Sequence, residues 1–341
     1  MKEIIESIQK KLTGKPEDDT KFILEQLEQY RDNKEICDEL YKILFTLLPK
    51  DVQNNFVANV NQKMFEERIT EIQELVKDGQ NERALKYLDR AIEKIEKVHE
   101  DEKNKYMTFH SPFEAYFYAI QRDKNDKKFI TSAVVDFGTY YKFRGIVLNN
   151  LKRFEEAEAE FVESLEWNPM DYETIFEYAR CLFNLKKYDE FYDLNLATLK
   201  TAYTNYAIAC CYHNLGLYYT TKGTKNDDTT AFNLISLSII FAETDYAYKD
   251  LNTLCEKYTW KKELANEKDI NSTLRKTGIP GAPSEDLLQL LIAIARRFIG
   301  VQDQFALDVF RTIYALTHDD ETLKYIKAGE RAMTEKMMKK Q

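Results

Sequence analysis

Gly145 and Ala179 stand 34 residues apart, and so do Phe154 and Tyr188. A small residue and an aromatic recurring together at that period constrain the chain more than any single side chain does. A repeat of this length marks stacked helix–turn–helix units, none of which can bury its apolar face alone. The first unit reads YYKFRGIVLNNLKRFEEAEAEFVESLEWNP, from Tyr140 to Pro169.

Composition agrees with helices throughout. The 341 residues include only 10 Gly and 6 Pro, too few for the tight turns that successive strands demand. An all-α chain is predicted. The formal charge of -9 argues against nucleic acid as the main partner, because phosphate binding needs a basic face. The basic run from Arg122 to Lys128 is interrupted by Asp123 and Asp126 and reads as a solvated turn. Lys336, Lys339 and Lys340 read as a frayed helix end.

The five cysteines, Cys37, Cys181, Cys210, Cys211 and Cys255, form no CxxC pair, which suits buried thiols in a reducing compartment. The opening MKEIIESIQKKLTG carries acids where a signal peptide would be apolar, and the run from Leu290 to Ala295 is too short to span a bilayer. A soluble, cytoplasmic protein without membrane partners is expected.

Three regions are expected: a helical N-terminal cap (1–62), a repeat array (63–276) and a C-terminal helical hairpin and cap (277–341). Within the first, Gly14-Lys15-Pro16 breaks one helix from the next, Asp18 or Asp19 can cap the new start, and Pro49 with Asp51 marks a further break. A hairpin at 63–98 turns at Lys77 to Asn81 and places Ala84, Leu88, Ala91 and Ile95 on one face. Ser111-Pro112-Phe113-Glu114 has the form of a capping box with proline in the first turn. The dense aromatics between Phe109 and Phe143 are assigned mainly to core packing. The Gly/Pro-rich stretch from Thr277 to Ser284 reads as a loop or hinge.

From Tyr141 the pattern resembles the tetratricopeptide repeat. Gly145 holds the small position of helix A, Ala157 that of helix B, Phe154 the aromatic turn, Phe161 the large apolar site and Pro169 the end. Ala179 and Tyr188 repeat this, with Phe191 where a small helix B residue is expected. Gly216 begins a third match, 37 residues after Ala179. The pairs at 63–98 and 284–316 match only in part. The resemblance implies a TPR-like α-α superhelix between helical caps.

No phosphate loop, dinucleotide fingerprint, HExxH or nucleophile elbow is present. Asp136-Phe137-Gly138 spells a kinase tripeptide without the rest of a kinase. His99, His110, His213 and His318 are not at ligand spacing with one another, so no metal, cofactor or catalytic group is assigned. Cys210 with His213 is the single local pair, read as packed or groove-lining. The acidic run from Glu155 to Glu166 is read as a solvated helix face.

The resemblance further implies a concave groove lined by the A helices. Its residues would be Lys142, Ile146, Asn149 and Asn150; then Phe176, Arg180, Phe183 and Asn184; then Cys210, His213 and Leu217. Asparagines can hold a peptide backbone, and Lys142 and Arg180 favour an acidic group on the ligand. Ile146, where the chaperone-binding carboxylate clamp has asparagine, and Cys210 and Asn214, where it has bases, argue against a chaperone tail. The functional expectation is a non-enzymatic protein- or peptide-binding scaffold. A peptide-responsive regulatory sensor, or an enzyme with acids on the concave face, is the alternative.

Overall fold

The computed structural model describes residues 2–30, 33–47, 65–93, 99–123, 125–133 and 135–338. The break at Pro49 and Asp51, the 62/63 boundary, Ile95, Lys339 and Lys340 lie outside them.

The chain opens with α1 (Lys2–Gln9), α2 (Pro16–Gln29) and α3 (Lys34–Leu47). Ile8, Ile23, Ile36 and Leu40 give these three helices a core of their own. The start of α2 differs from expectation. Proline at its first position lets the helix begin before either aspartate, and Lys15, the cap residue, makes no side-chain cap bond. Asp19 instead reaches back to accept from the backbone N–H groups of Thr13, at 2.6 Å, and Gly14, at 2.8 Å. Those bonds hold its carboxyl below the usual range, the Thr13 amide foremost.

Helix α4 (65–77) and α5 (Asn81–Ile92) form the expected hairpin, and α5 packs on α7 (Phe137–Asn150). Between them lies an unforeseen insertion: β1 (Asn104–Met107), α6 (Pro112–Gln121) and β2 (Phe129–Ser132). The two strands pair in parallel, Asn104 opposite Phe129 and Met107 opposite Ser132, with α6 as the crossover. Helix is otherwise the rule. Ser111 caps α6 by accepting from the Glu114 amide, but Glu114 does not close the box. Its carboxylate is buried and takes the His110 N–H and the Asn168 amide instead.

Hairpins then repeat: α7 with α8 (Phe154–Trp167), α9 (Tyr172–Asn184) with α10 (Tyr188–Leu199), and α11 (Asn205–Thr220) with α12 (Lys225–Phe241). The turns explain the period. Lys152 and Lys186, 34 residues apart, both adopt positive φ. Beyond each, an amide bonds back five residues, Arg153 to Leu148 at 2.9 Å and Lys187 to Leu182 at 3.0 Å. This is the Schellman closure of a helix. Gly79, Gln80 and Leu75 close α4 identically, so the 65–92 hairpin shares the repeat's turn without its aromatics.

Small residues let the paired helices approach. A Cβ added at Gly145 would lie 2.6 Å from Cε1 of Phe161, a fully buried ring. Phe161, one turn beyond the buried Ala157, thus fills the space that glycine leaves. At Gly216 the equivalent contacts are Ile235 Cγ1 at 2.8 Å and the Ala231 carbonyl at 3.2 Å.

A fourth helix of type A follows, α13 (Asp245–Tyr258), with α14 (Glu267–Thr277) packed on α12. Gly278, in the left-handed region, ends α14, and Ser284 caps α15 (Glu285–Phe298). Helices α15, α16 (Asp303–Thr317) and α17 (Asp320–Met338) pack in sequence. They fold back upon α6 and the start of α11. Phe113 meets Phe305, Tyr116 meets Phe298, and Tyr203 stacks on Phe117. The Tyr212 hydroxyl donates to the Pro280 carbonyl at 2.9 Å. Most aromatics between Phe109 and Phe143 therefore serve the core, Phe117 and Tyr141 completely, whereas Phe129 is 70% exposed. The whole is a TPR-like helical repeat with helical ends.

Candidate functional site

Polar side chains bind α7 to α9 and α11 to α13, while α9 meets α11 through the apolar core around Ile208. These four A helices form the wall that the sequence assigns to a groove. Each is started by an oxygen cap that fixes its entry: Asp136 for α7, Asp171 for α9, Thr204 for α11 and Thr244 for α13. Several candidate residues are spent on holding the wall together. Lys142 is buried, its ammonium 3.2 Å from Asp171 and 2.9 Å from Glu173. Burial pulls its pKa down, but the two carboxylates outweigh it and leave the pKa raised. Asn149 is also buried and accepts from Asn184 Nδ2 at 3.1 Å. Its own Nδ2 is buried without a hydrogen-bond partner.

Four apolar candidates are half-buried in different places. Ile146 packs into the core around Val147 and Phe161, and Phe176 into that around Ile208. Phe183 and Leu217 pack beside Leu182, and Phe183 meets the rings of Tyr188 and Phe191. His213 is buried, with Nε2 2.9 Å from Asp250 Oδ2 and its ring against Tyr246. Asn150, Arg180 and Asn184 are left exposed. Asn150 donates to Asn81 at 3.3 Å, and Arg180 pairs with Glu177.

Cys210, His213 and Asp250 have the residue types of a thiol triad but not its geometry. The Cys210 sulfur has the Tyr246 hydroxyl as partner at 3.3 Å, and burial pushes the thiol pKa up. A nucleophilic cysteine needs the opposite shift and an adjacent base. The arrangement is packing chemistry.

Two wall residues escaped the sequence reading. Tyr206 is 55% exposed and Tyr246 is 40% exposed. Tyr206 lies one turn before Cys210, so the spacing that marked Cys210 could have found it. Tyr246 required knowing that α13 is another A helix, and its sequence lacks the repeat's glycine. The acidic run of α8 is also less solvated than its composition implied, since Glu158 binds Lys187, Glu160 binds Arg144 and Glu163 binds His99.

Elsewhere, an apolar cleft of about 390 Å³ lies between α16 and α17, lined by Leu307, Phe310, Tyr325 and Met333 among others. No helix of the described residues is long and apolar enough to cross a membrane.

No family model matches the sequence, and no curated protein matches it. Among solved structures, one described as "Functional Characterization of Pseudomonas Aeruginosa pilF" is similar over 78% of this chain and 97% of that one. The identity is 13% and the TM-score 0.40. On its own repeated turns and glycine-mediated crossings, the chain is a tetratricopeptide-like helical repeat protein.

Proposed function

We propose that the protein is a non-enzymatic, cytoplasmic scaffold that holds a peptide segment of a partner protein against the A-helix wall. The observation that carries this reading is the pair of exposed tyrosines, Tyr206 and Tyr246, on adjacent A helices. Tyrosine offers a large apolar face and a hydrogen-bonding tip, the combination enriched in binding hot spots. Asn150, Arg180 and Asn184 continue the wall with exposed groups able to bond a peptide backbone or a carboxylate. Because Lys142 is already enclosed by Asp171 and Glu173, the preference for an acidic ligand rests on Arg180 alone.

The test is affinity capture from the source cell with the full chain, followed by titration of the partner recovered. Arg180→Ala is expected to weaken the partner by about tenfold, and Tyr206→Ala with Tyr246→Ala by more. A partner held equally well by wild type and both variants would place binding elsewhere on the molecule.

A further inference from the structure

Away from the A-helix wall, a histidine meets two carboxylates of helix α8. His99 Nε2 lies 3.0 Å from Glu163 Oε1 and 3.7 Å from Glu166 Oε2. One donor atom from each of the three lies within 4.8 Å of the others, an arrangement that no other His, Cys, Asp or Glu group among the described residues reproduces. Glu163 and Glu166 are three apart on one helix and so share a face. His99 comes from the segment preceding β1 and is held in place before any ligand arrives. Its ring lies on that of Trp167, with centroids 4.2 Å apart, and its carbonyl accepts the Tyr106 amide at 2.8 Å. Trp167 is itself buried and braced by Phe137.

An imidazole–carboxylate hydrogen bond accounts for only half of this geometry. Nε2 carries at most one hydrogen, so Glu163 and Glu166 cannot both receive a full bond from it. The other ring nitrogen, Nδ1, is buried without a hydrogen-bond partner. Nε2 is therefore the ring atom that meets the carboxylates, and a neutral ring lending its Nε2 lone pair to a metal carries its hydrogen on Nδ1. In tetrahedral zinc coordination, with Zn–N about 2.0–2.1 Å and Zn–O about 2.0–2.2 Å, neighbouring donor atoms stand roughly 3.3–3.5 Å apart. The two observed separations bracket that edge. One nitrogen and two carboxylate oxygens also suit zinc better than a thiophilic ion.

We propose that His99, Glu163 and Glu166 bind one Zn²⁺, with the fourth position taken by water on the side of Glu166, whose side chain is 58% exposed. The ion fastens the segment leading into β1 onto helix B of the first repeat, independently of whatever occupies the wall.

Calorimetric titration of the full chain with zinc chloride alone tests this, with the visible absorption of Co²⁺ as a second readout. One equivalent is expected to bind, and His99→Ala and Glu163→Gln should each lower the affinity at least about tenfold. Since His99 packs on Trp167, Glu166→Gln is the variant that spares the fold. Its melting temperature without metal should equal that of wild type, and its zinc affinity should fall. Failure of the wild type to take up zinc, or equal affinity in all three variants, overturns the assignment.

Discussion

The seam between α7 and α9 and the seam between α11 and α13 both join neighbouring A helices, yet they are built from different chemistry. The first encloses a full charge: Lys142, 6% exposed, faces Asp171, 7% exposed, and the exposed Glu173. The second uses the His213–Asp250 bond and the Cys210–Tyr246 contact, and it leaves two tyrosines uncovered. A buried ion pair fixes geometry at a high desolvation cost and offers a partner little surface. Partly exposed groups hold less firmly and keep binding area free. On the proposed reading, rigidity belongs to the first seam and recognition to the second.

The largest effect expected from this contrast is that of Lys142→Met. It leaves Asp171 buried without its cation and should cost about 3–5 kcal/mol in chemical denaturation. His213→Gln, in the second seam, removes a bond to the half-buried Asp250 and should cost about 1 kcal/mol. Equal losses would erase the distinction between the seams. Below the seams the helix crossings should respond alike. Gly145→Leu forces a side chain into Phe161 and should destabilise by about 1–3 kcal/mol. Gly216→Leu meets Ile235 and the Ala231 carbonyl and belongs in the same range. A melting curve unchanged by Gly145→Leu would mean that the crossing is not close.

How much of this was legible beforehand follows from the range of the interactions. Gly145, Phe154 and Phe161 belong to one hairpin and Ala179 and Tyr188 to the next, so their spacing exposed the repeat. The caps at Ser111 and Ser284 are equally local. The β1–β2 pairing was not visible, because each strand is only four residues long and alternates poorly in burial. The candidate site was readable as a face and not as a surface. The resemblance puts Lys142, Asn149 and His213 on the wall, but their availability depends on Asp171, Asn184 and Asp250, which lie 29 to 37 residues away. Long-range pairing decides which polar residues are left for a partner. His99 illustrates the same limit, since its partner Glu163 is 64 residues distant.

Acidity offers a milder probe of the first seam. His110 Nε2 lies 2.9 Å from Asp136 Oδ2, and Asp136 caps α7. The bond to Asp136 raises the His110 pKa, against burial. A histidine whose folded pKa exceeds its ordinary value of about 6.5 stabilises the fold fully below that value. The contribution is lost as pH rises through the folded pKa. Because the His110 side chain is 38% exposed, solvent screening holds the effect to less than about 1 kcal/mol. Urea midpoints taken between pH 6 and pH 9 should fall more steeply for wild type than for His110→Gln. Parallel profiles would show that this cap is not coupled to proton binding.

The smallest effect on stability, and the sharpest test of the contrast, belongs to Tyr206. The residue is 55% exposed, so Tyr206→Ala removes little buried area and should shift unfolding by no more than about 0.5 kcal/mol. Tyr206 also touches Cys210 and Tyr246, but Tyr246 is less suited to the purpose, because its ring packs on buried His213 as well. If the second seam is a recognition surface, Tyr206→Ala separates the two properties, leaving the melting temperature in place while releasing the partner. Lys142→Met should do the reverse at temperatures where it remains folded, lowering stability while sparing the partner's affinity. A chain in which both substitutions moved stability and binding together would have one wall with one role. The division of labour between its seams would then be lost.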